Sequence, residues 1–195
     1  MPAGRRYTGP MSTRALDPLR LDVATFANDG ATLEGRWPLA GFKRVVASIP
    51  SEALPTASDE VVWSARGERR TLRGGVTQPW LHLRAGTTLA LECQRCLGPV
   101  EETLQVERSF LFVADEDVAS EVDADTEDDV LVLSRAFNLH ELVEDELLLA
   151  MPLVPRHAVC PVPLAVPPAE TEEPADERPN PFAALATLKR GGSVN

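Results

Sequence analysis

The residues best suited to do chemistry are two cysteines, Cys93 and Cys96, with two residues between them. This spacing lets both sulfurs reach one metal ion or each other. A Gly98-Pro99 pair follows and predicts a turn, and alternation of apolar and polar residues on both sides predicts one strand entering and one leaving. We therefore expect the two cysteines at the tip of a β-hairpin.

A tetrahedral zinc site needs two further ligands. The remaining cysteine is Cys160, and His157 lies three residues before it. Together with Cys93 and Cys96 they would give three thiolates and one imidazole, so zinc is a candidate cofactor, and no cofactor is certain from the sequence. The alternative is that the two paired cysteines are small core or turn residues and that His157 is a surface histidine.

Catalysis by these thiols is disfavoured. A thioredoxin-like pair opens a helix after a strand, whereas Gly98-Pro99 and renewed alternation follow here. The sequence has no cue for an oxyanion hole or for a phosphate-binding glycine loop. We therefore predict a protein that is not an enzyme, with no catalytic residues and no small-molecule substrate.

A second candidate site consists of arginines that can bind RNA phosphates, with Trp63 and Trp80 nearby in sequence to stack on bases. The alternative is a solvated polar face over two core tryptophans. The candidate RNA-binding residues are Arg66, Arg69, Arg70, Arg73, Arg84 and Arg95.

The net charge of −11 is unevenly distributed. Residues 1–100 carry 13 Lys/Arg against 9 Asp/Glu, whereas residues 101–195 carry 6 against 21. Because phosphate neutralisation contributes much of the affinity for nucleic acid, RNA contact is expected in the first half or through a partner. The absence of an export signal and of an apolar run of about 20 residues predicts a cytoplasmic protein without a membrane partner; Met11 is an alternative start to Met1.

The elements that position these residues predict an α+β fold. Period-two patterns indicate an antiparallel β meander from Val45 to Leu133, with turns at 66–70 and at Gly86. The acidic block 115–129 is expected to be a disordered loop. A first helix is predicted over 19–27 after Asp17-Pro18, and one long helix that packs on the sheet follows Asn138 and ends near Met151.

The predicted domain organisation has four parts. Residues 1–16 form a disordered leader and 17–162 a single α+β domain. A Pro/Glu-rich linker follows at 163–178, and 179–195 form a short C-terminal helix and tail. The prolines between Met151 and Pro161 exclude a helix, so this segment should run extended away from the long helix.

Three segments, in this order, resemble the bacterial YceD family, whose members are named large ribosomal RNA subunit accumulation proteins. They are Leu91–Cys96, then Val143–Pro155 with His157 and Cys160, and finally Arg178–Arg190. Leu16-Asp17-Pro18 is similar too. Some relatives carry more cysteines after the proline-rich turn, where this chain has only His157 and Cys160.

The resemblance implies a ribosome biogenesis factor that supports synthesis, processing or stability of 23S ribosomal RNA. Its expected partner is large-subunit ribosomal RNA or a pre-ribosomal particle, reached directly or through a ribosomal protein. A second hypothesis is a zinc-stabilised protein-interaction module that binds a basic partner through its acidic half.

Overall fold

The structure is a computed structural model that describes residues 16–161 except 72–74, 124–125 and 127. The leader, the linker and the C-terminal helix predicted above therefore lie outside the described residues, apart from Leu16. The described chain has an α+β fold built on a five-stranded mixed sheet with strand order β1-β2-β3-β4-β5. Among the described residues, no helix is long and apolar enough to cross a membrane.

The strands are connected in chain order. Their bounds are β1 Thr32–Pro38, β2 Glu60–Thr71, β3 Thr77–Glu92, β4 Pro99–Val113 and β5 Asp129–Val132. Neighbours β1 to β4 pair antiparallel. The last pair differs from the predicted meander, because β5 runs parallel to β4.

Four α-helices accompany the sheet. They are α1 Val23–Asn28, α2 Lys43–Val46, α3 Glu116–Asp123 and α4 Leu139–Leu149, with short 3-10 turns at Leu39–Gly41 and Ser51–Ala53. Asn138 caps α4, its side chain accepting from the N–H groups of His140 and Glu141. The first helix begins later than predicted because Asp22, rather than Asp17, is its cap.

The main core lies on one face of the sheet. Alternate residues of β2, β3 and β4, such as Trp63, Leu83 and Phe110, point into it and meet buried residues of α1 and α4. This alternation is the expected result of one buried and one solvated sheet face. The face that remains polar carries three of the six arginines considered above, Arg66, Arg70 and Arg84, so the fold fixes where they can act.

Residues 116–123 of the acidic block form α3 and not the disordered loop that their charge predicted. Parallel pairing of β5 with β4 requires a crossover connection, and α3 forms part of it. Val118, Ala119 and Val122 of α3 pack over Trp80, Leu111 and Val113 at one end of the polar sheet face. The apolar stripe therefore orders residues 116–123 while their carboxylates stay in water.

The predicted sheet start at Val45 is wrong. Residues 43–46 form α2, and the sheet begins at Thr32. Val45 is fully buried, and Glu144 of α4 accepts a 2.8 Å hydrogen bond from the N–H of Arg44 and a second from its guanidinium. Tertiary packing thus overrides the β propensity of two adjacent valines.

The two turns predicted inside the sheet are also wrong. Residues 66–70 continue β2, and Gly86 lies inside the 16-residue strand β3. Each glycine marks a close backbone approach instead: a Cβ on Gly67 would lie 2.5 Å from the carbonyl oxygen of Phe26, and one on Gly86 would lie 3.2 Å from that of Leu104. The arginines around Gly67 therefore project from a strand and not from a turn.

Candidate functional site

The four predicted metal ligands converge. Ligand atoms of Cys93, Cys96, His157 and Cys160 all lie within 4.8 Å of one another. The Cys93 and Cys160 sulfurs are 3.9 Å apart, and the Cys96 sulfur is 3.4 Å from Nδ1 of His157. All three cysteines are free thiols. The fold has thus brought together residues that are more than 60 positions apart in the sequence.

These separations match tetrahedral coordination. Zn–S bonds of about 2.3 Å and Zn–N bonds of about 2.0–2.1 Å at the tetrahedral angle place two sulfurs about 3.8 Å apart, and a sulfur and a nitrogen about 3.6 Å apart. The observed 3.9 Å and 3.4 Å differ from these values by about 0.2 Å or less. For these two pairs the ligand atoms are thus already at distances compatible with a zinc ion, and all four lie within 4.8 Å of one another.

The turn between β3 and β4 holds the first two ligands in place. The N–H of Leu97 donates to the carbonyl oxygen of Cys93 at 2.8 Å, and the N–H of Cys93 donates to that of Gly98 at 2.9 Å. Leu97 has a left-handed backbone, with φ of 61°, which lets the chain reverse within a few residues. The hairpin tip predicted from the Gly-Pro pair is present.

The second pair of ligands comes from the segment that follows α4. A backbone hydrogen bond of 2.9 Å from the N–H of Gln94 to the carbonyl oxygen of Pro155 attaches this segment to the hairpin tip. Because Pro152 and Pro155 exclude helix, the chain leaves α4 in an irregular path that returns His157 and Cys160 to the first two cysteines. Sequence spacing alone did not predict how close His157 and Cys160 come to the first two cysteines.

His157 is oriented as metal-binding histidines are. Its Nε2 lies 3.0 Å from the carbonyl oxygen of Pro99, and a carbonyl oxygen only accepts, so Nε2 carries the hydrogen. The lone pair is then on Nδ1, the atom that faces the sulfur of Cys96. A backbone carbonyl that fixes the tautomer in this way is the usual outer partner of a histidine ligand.

The thiols differ in acidity. Burial raises the pKa of Cys93, but the backbone N–H groups of Cys96, His157 and Arg95 outweigh it and bring that pKa to about 5. Burial, together with the neighbouring sulfurs of Cys96 and Cys93, raises the pKa of Cys160 to about 11. The Cys93 thiolate is thus stabilised, whereas the neighbouring sulfurs oppose ionisation of Cys160. A divalent cation would remove this opposition, because thiols that coordinate a metal are deprotonated.

The arginines are distributed differently. Arg66, Arg70 and Arg84 lie on the polar face of β2 and β3, as the strand parity requires. Arg69 has the opposite parity and donates to the side chain of Asn28 and the carbonyl of Thr77. Arg95 lies at the hairpin tip, and Arg73 is outside the described residues. The five candidates that the structure describes therefore do not form one surface.

The arginines of the polar face are already bound to carboxylates. Glu68 accepts from both Arg66 and Arg70, with nitrogen–oxygen distances of 3.1 Å. Arg84 pairs with Glu107 at 2.6 Å across β3 and β4. Arg70 also lies 4.8 Å above the ring of Trp80. Two carboxylates thus offset most of the positive charge of these three arginines, which weakens their attraction for phosphate.

Both tryptophans are buried. Trp63 and Trp80 are only 5% and 3% exposed, and Trp63 stacks on Trp37 with ring centroids 4.3 Å apart. Neither ring is available to stack on a nucleic-acid base. Their burial favours the interpretation of a polar face over core tryptophans, and RNA binding by the arginines stays a prediction.

Two polar clusters went unnoticed in the sequence. His82 bridges Ser109 and Glu68, each 2.8 Å from one ring nitrogen, and Arg44 binds both Glu144 and Asp145 of α4. Register places His82 opposite Ser109 across β3 and β4. The position of each residue in the alternation of its strand was therefore the only sequence signal for the His82 cluster. The second joins residues 100 positions apart, for which the sequence has no local signal.

Comparison with known proteins concerns the same part of the chain. The profile of one family, described as "Large ribosomal RNA subunit accumulation protein YceD", matches residues 81–189, more than half of the 195 residues. A Haemophilus influenzae protein named "Large ribosomal RNA subunit accumulation protein YceD" is 39% identical over 107 residues. The alignment covers 51% of this chain and 59%, less than two thirds, of that relative. No solved structure matches the chain significantly.

Proposed function

The chain belongs to the YceD family, and on that premise we propose that it is a non-catalytic ribosome biogenesis factor. It supports synthesis, processing or stability of 23S ribosomal RNA, in the cytoplasm, and its partner is large-subunit ribosomal RNA or a pre-ribosomal particle. The observation that carries this proposal is the profile match over 81–189, a range that contains all four candidate metal ligands and α4.

Deletion of the gene tests this function. Loss of the protein should lower the ratio of 23S to 16S ribosomal RNA in growing cells, and expression of the wild-type chain should restore it. The 16S RNA is the internal control, because a general loss of transcription lowers both molecules. An unchanged ratio in the deletion strain would overturn the proposal.

A second candidate is a zinc-stabilised protein-interaction module that binds a basic partner through its acidic half. Two observations favour it. The Cys93, Cys96, His157 and Cys160 cluster has the donor types and distances of a structural zinc site. The acids of α3 are held on an ordered helix whose apolar side packs on the sheet, so they form a fixed negative surface.

The zinc part is tested by elemental mass spectrometry of the purified protein. One zinc per chain is expected for the wild type, and none for a Cys93→Ser, Cys160→Ser variant. A full complement of zinc in the variant would place the metal elsewhere, and none in the wild type would remove zinc from the proposal.

The acidic part is tested by neutralising exposed acids of α3, namely Glu116→Gln, Asp117→Asn and Glu121→Gln. These residues do not belong to the packed side of the helix. Pull-down of basic ribosomal proteins at low salt should weaken in this variant. A control with Glu52→Gln, Glu92→Gln and Glu101→Gln has the same charge, and equal weakening in the control would mean that only net charge matters.

A further inference from the structure

Two arginines flank the hydrogen bond by which the hairpin tip meets the segment after α4. Arg95 and Arg156 each follow a residue of the backbone hydrogen bond between Gln94 and Pro155. Both are exposed. Neither forms an ion pair with any acid in the described part of the chain, in contrast to Arg66, Arg70 and Arg84.

Exposed apolar side chains gather at the same place. Of the nine large hydrophobic residues that are exposed among the described residues, four belong to these two segments: Leu97, Leu153, Val154 and Val159, which are 62%, 99%, 53% and 84% exposed. The Gln94–Pro155 hydrogen bond joins the segments, and the four candidate metal ligands converge between them. This surface, the six residues Arg95, Leu97, Leu153, Val154, Arg156 and Val159, is called the tip surface below.

The chemistry of the tip surface fits single-stranded RNA. A guanidinium binds phosphate through paired N–H groups, and unpaired arginines bind it without first breaking an ion pair. The faces of unstacked bases are apolar. Apolar side chains can cover them, because contact removes both surfaces from water. Zinc knuckles, small metal-stabilised turns, are among the modules that recognise single-stranded RNA.

Building on the proposed function, we propose that the protein contacts single-stranded ribosomal RNA through the tip surface and not through the arginines of the sheet. Arg95 and Arg156 bind phosphates, and the four aliphatic side chains cover bases. This assigns the RNA contact to the end of the molecule that the metal cluster organises.

The salt dependence of binding tests the arginines. Anisotropy of a short fluorescein-labelled single-stranded RNA from 23S sequence is measured with the wild type and with Arg95→Ala, Arg156→Ala over a range of salt concentrations. Each phosphate contact contributes about 0.7 to the slope of log K against log salt for single strands. The alanine variant should therefore lose about 1.4 of that slope. The charge-preserving variant Arg95→Lys, Arg156→Lys should retain it.

The matched control is Arg66→Ala, Arg84→Ala, which removes the same charge from the sheet and should leave the slope unchanged. Leu97→Asn with Leu153→Ser tests the apolar part: affinity should fall about tenfold at constant slope, and Asn tolerates the left-handed backbone at position 97. Circular dichroism and zinc content confirm folding of every variant.

Three results would overturn this inference. They are absence of RNA binding by the wild type, a loss of slope confined to the sheet variant, and tip variants that lose ribosomal proteins but keep RNA. None of them changes the ratio of 23S to 16S RNA in the deletion strain. Failure of the tip surface and failure of the proposed function are thus distinguished by different measurements.

Discussion

The hairpin tip and the polar sheet face both carry side chains that are able to bind a ligand, yet the fold treats them in opposite ways. At the tip, four donors point at one another and two arginines point outward without acidic partners among the described residues. On the sheet, each of Arg66, Arg70 and Arg84 is bound by a carboxylate from the same or a neighbouring strand. The side chains of the tip are therefore available to a ligand, whereas those of the sheet already bind one another.

The difference teaches that residue type does not locate a functional surface by itself. Arg84 and Arg95 are the same residue eleven positions apart on the two sides of β3's end. Antiparallel register places Glu107 opposite Arg84, whereas the tight turn around Arg95 has no facing strand. Pairing across strands stabilises a sheet and at the same time removes its charges from recognition.

The largest expected effect comes from removing the metal ligands. In Cys93→Ser, Cys160→Ser, the free energy of unfolding in zinc-containing buffer should fall by about 3 kcal/mol or more, because loss of a structural metal removes binding energy that folding uses. Urea unfolding followed by circular dichroism measures it. Ser64→Ala on the sheet is the control and should change stability by less than about 0.5 kcal/mol. Equal stability of the cysteine variant and the wild type would show that the tip is not held by metal.

His157 and His82 allow a matched test of the contrast between the hairpin tip and the sheet. His157→Ala removes a ligand and should lower zinc affinity by more than the roughly 10- to 100-fold that loss of an outer partner costs, as measured by competition with a chromophoric chelator. His82→Ala removes only the contacts with Ser109 and Glu68. It should leave zinc affinity unchanged and cost about 1 kcal/mol of stability. Similar zinc affinities in the two variants would contradict the assignment of His157.

The ion pairs that hold the arginines of the sheet can be removed by substitution. In Glu68→Gln, Glu107→Gln, the carboxylates that bind Arg66, Arg70 and Arg84 are gone. The sheet should then gain affinity for the RNA probe, and the salt slope should steepen by about 0.7 for each new phosphate contact. Anisotropy with the same probe measures this. An unchanged slope would mean that something other than charge pairing prevents the sheet from binding RNA.

The smallest expected effect is a pH dependence of stability at Glu68. Hydrogen bonds from Arg70 and then His82 hold the pKa of Glu68 below its usual value. Its contribution is therefore complete above the unfolded-state pKa of about 4.3 and is lost as the pH falls through the lower, folded-state pKa. The melting temperature of Glu68→Gln should lie below that of the wild type at neutral pH and converge with it in acid. A difference that persists at the lowest pH would exclude this ionisation as its cause.

Local patterns were sufficient where the cause is local. The alternation of apolar and polar residues after the two cysteines predicted β4, and the Gly98-Pro99 pair predicted the hairpin tip, since both depend on backbone geometry over a few residues. The Asn138 cap predicted the start of α4 for the same reason. Composition over longer stretches was misleading: the charge of 115–129 concealed the Val118, Ala119 and Val122 stripe that orders α3.

By itself, the sequence determined the donor set Cys93, Cys96, His157 and Cys160, the hairpin that carries the first two, and the resemblance to a family. Only the tertiary structure decided that these donors converge within 4.8 Å, that β5 pairs parallel with β4, and that Arg66, Arg70 and Arg84 pair with carboxylates. The physical reason is that side-chain chemistry and turns are encoded over a few residues. Distances between remote segments and the pairing of charges across strands depend instead on register and packing, which are properties of the whole fold.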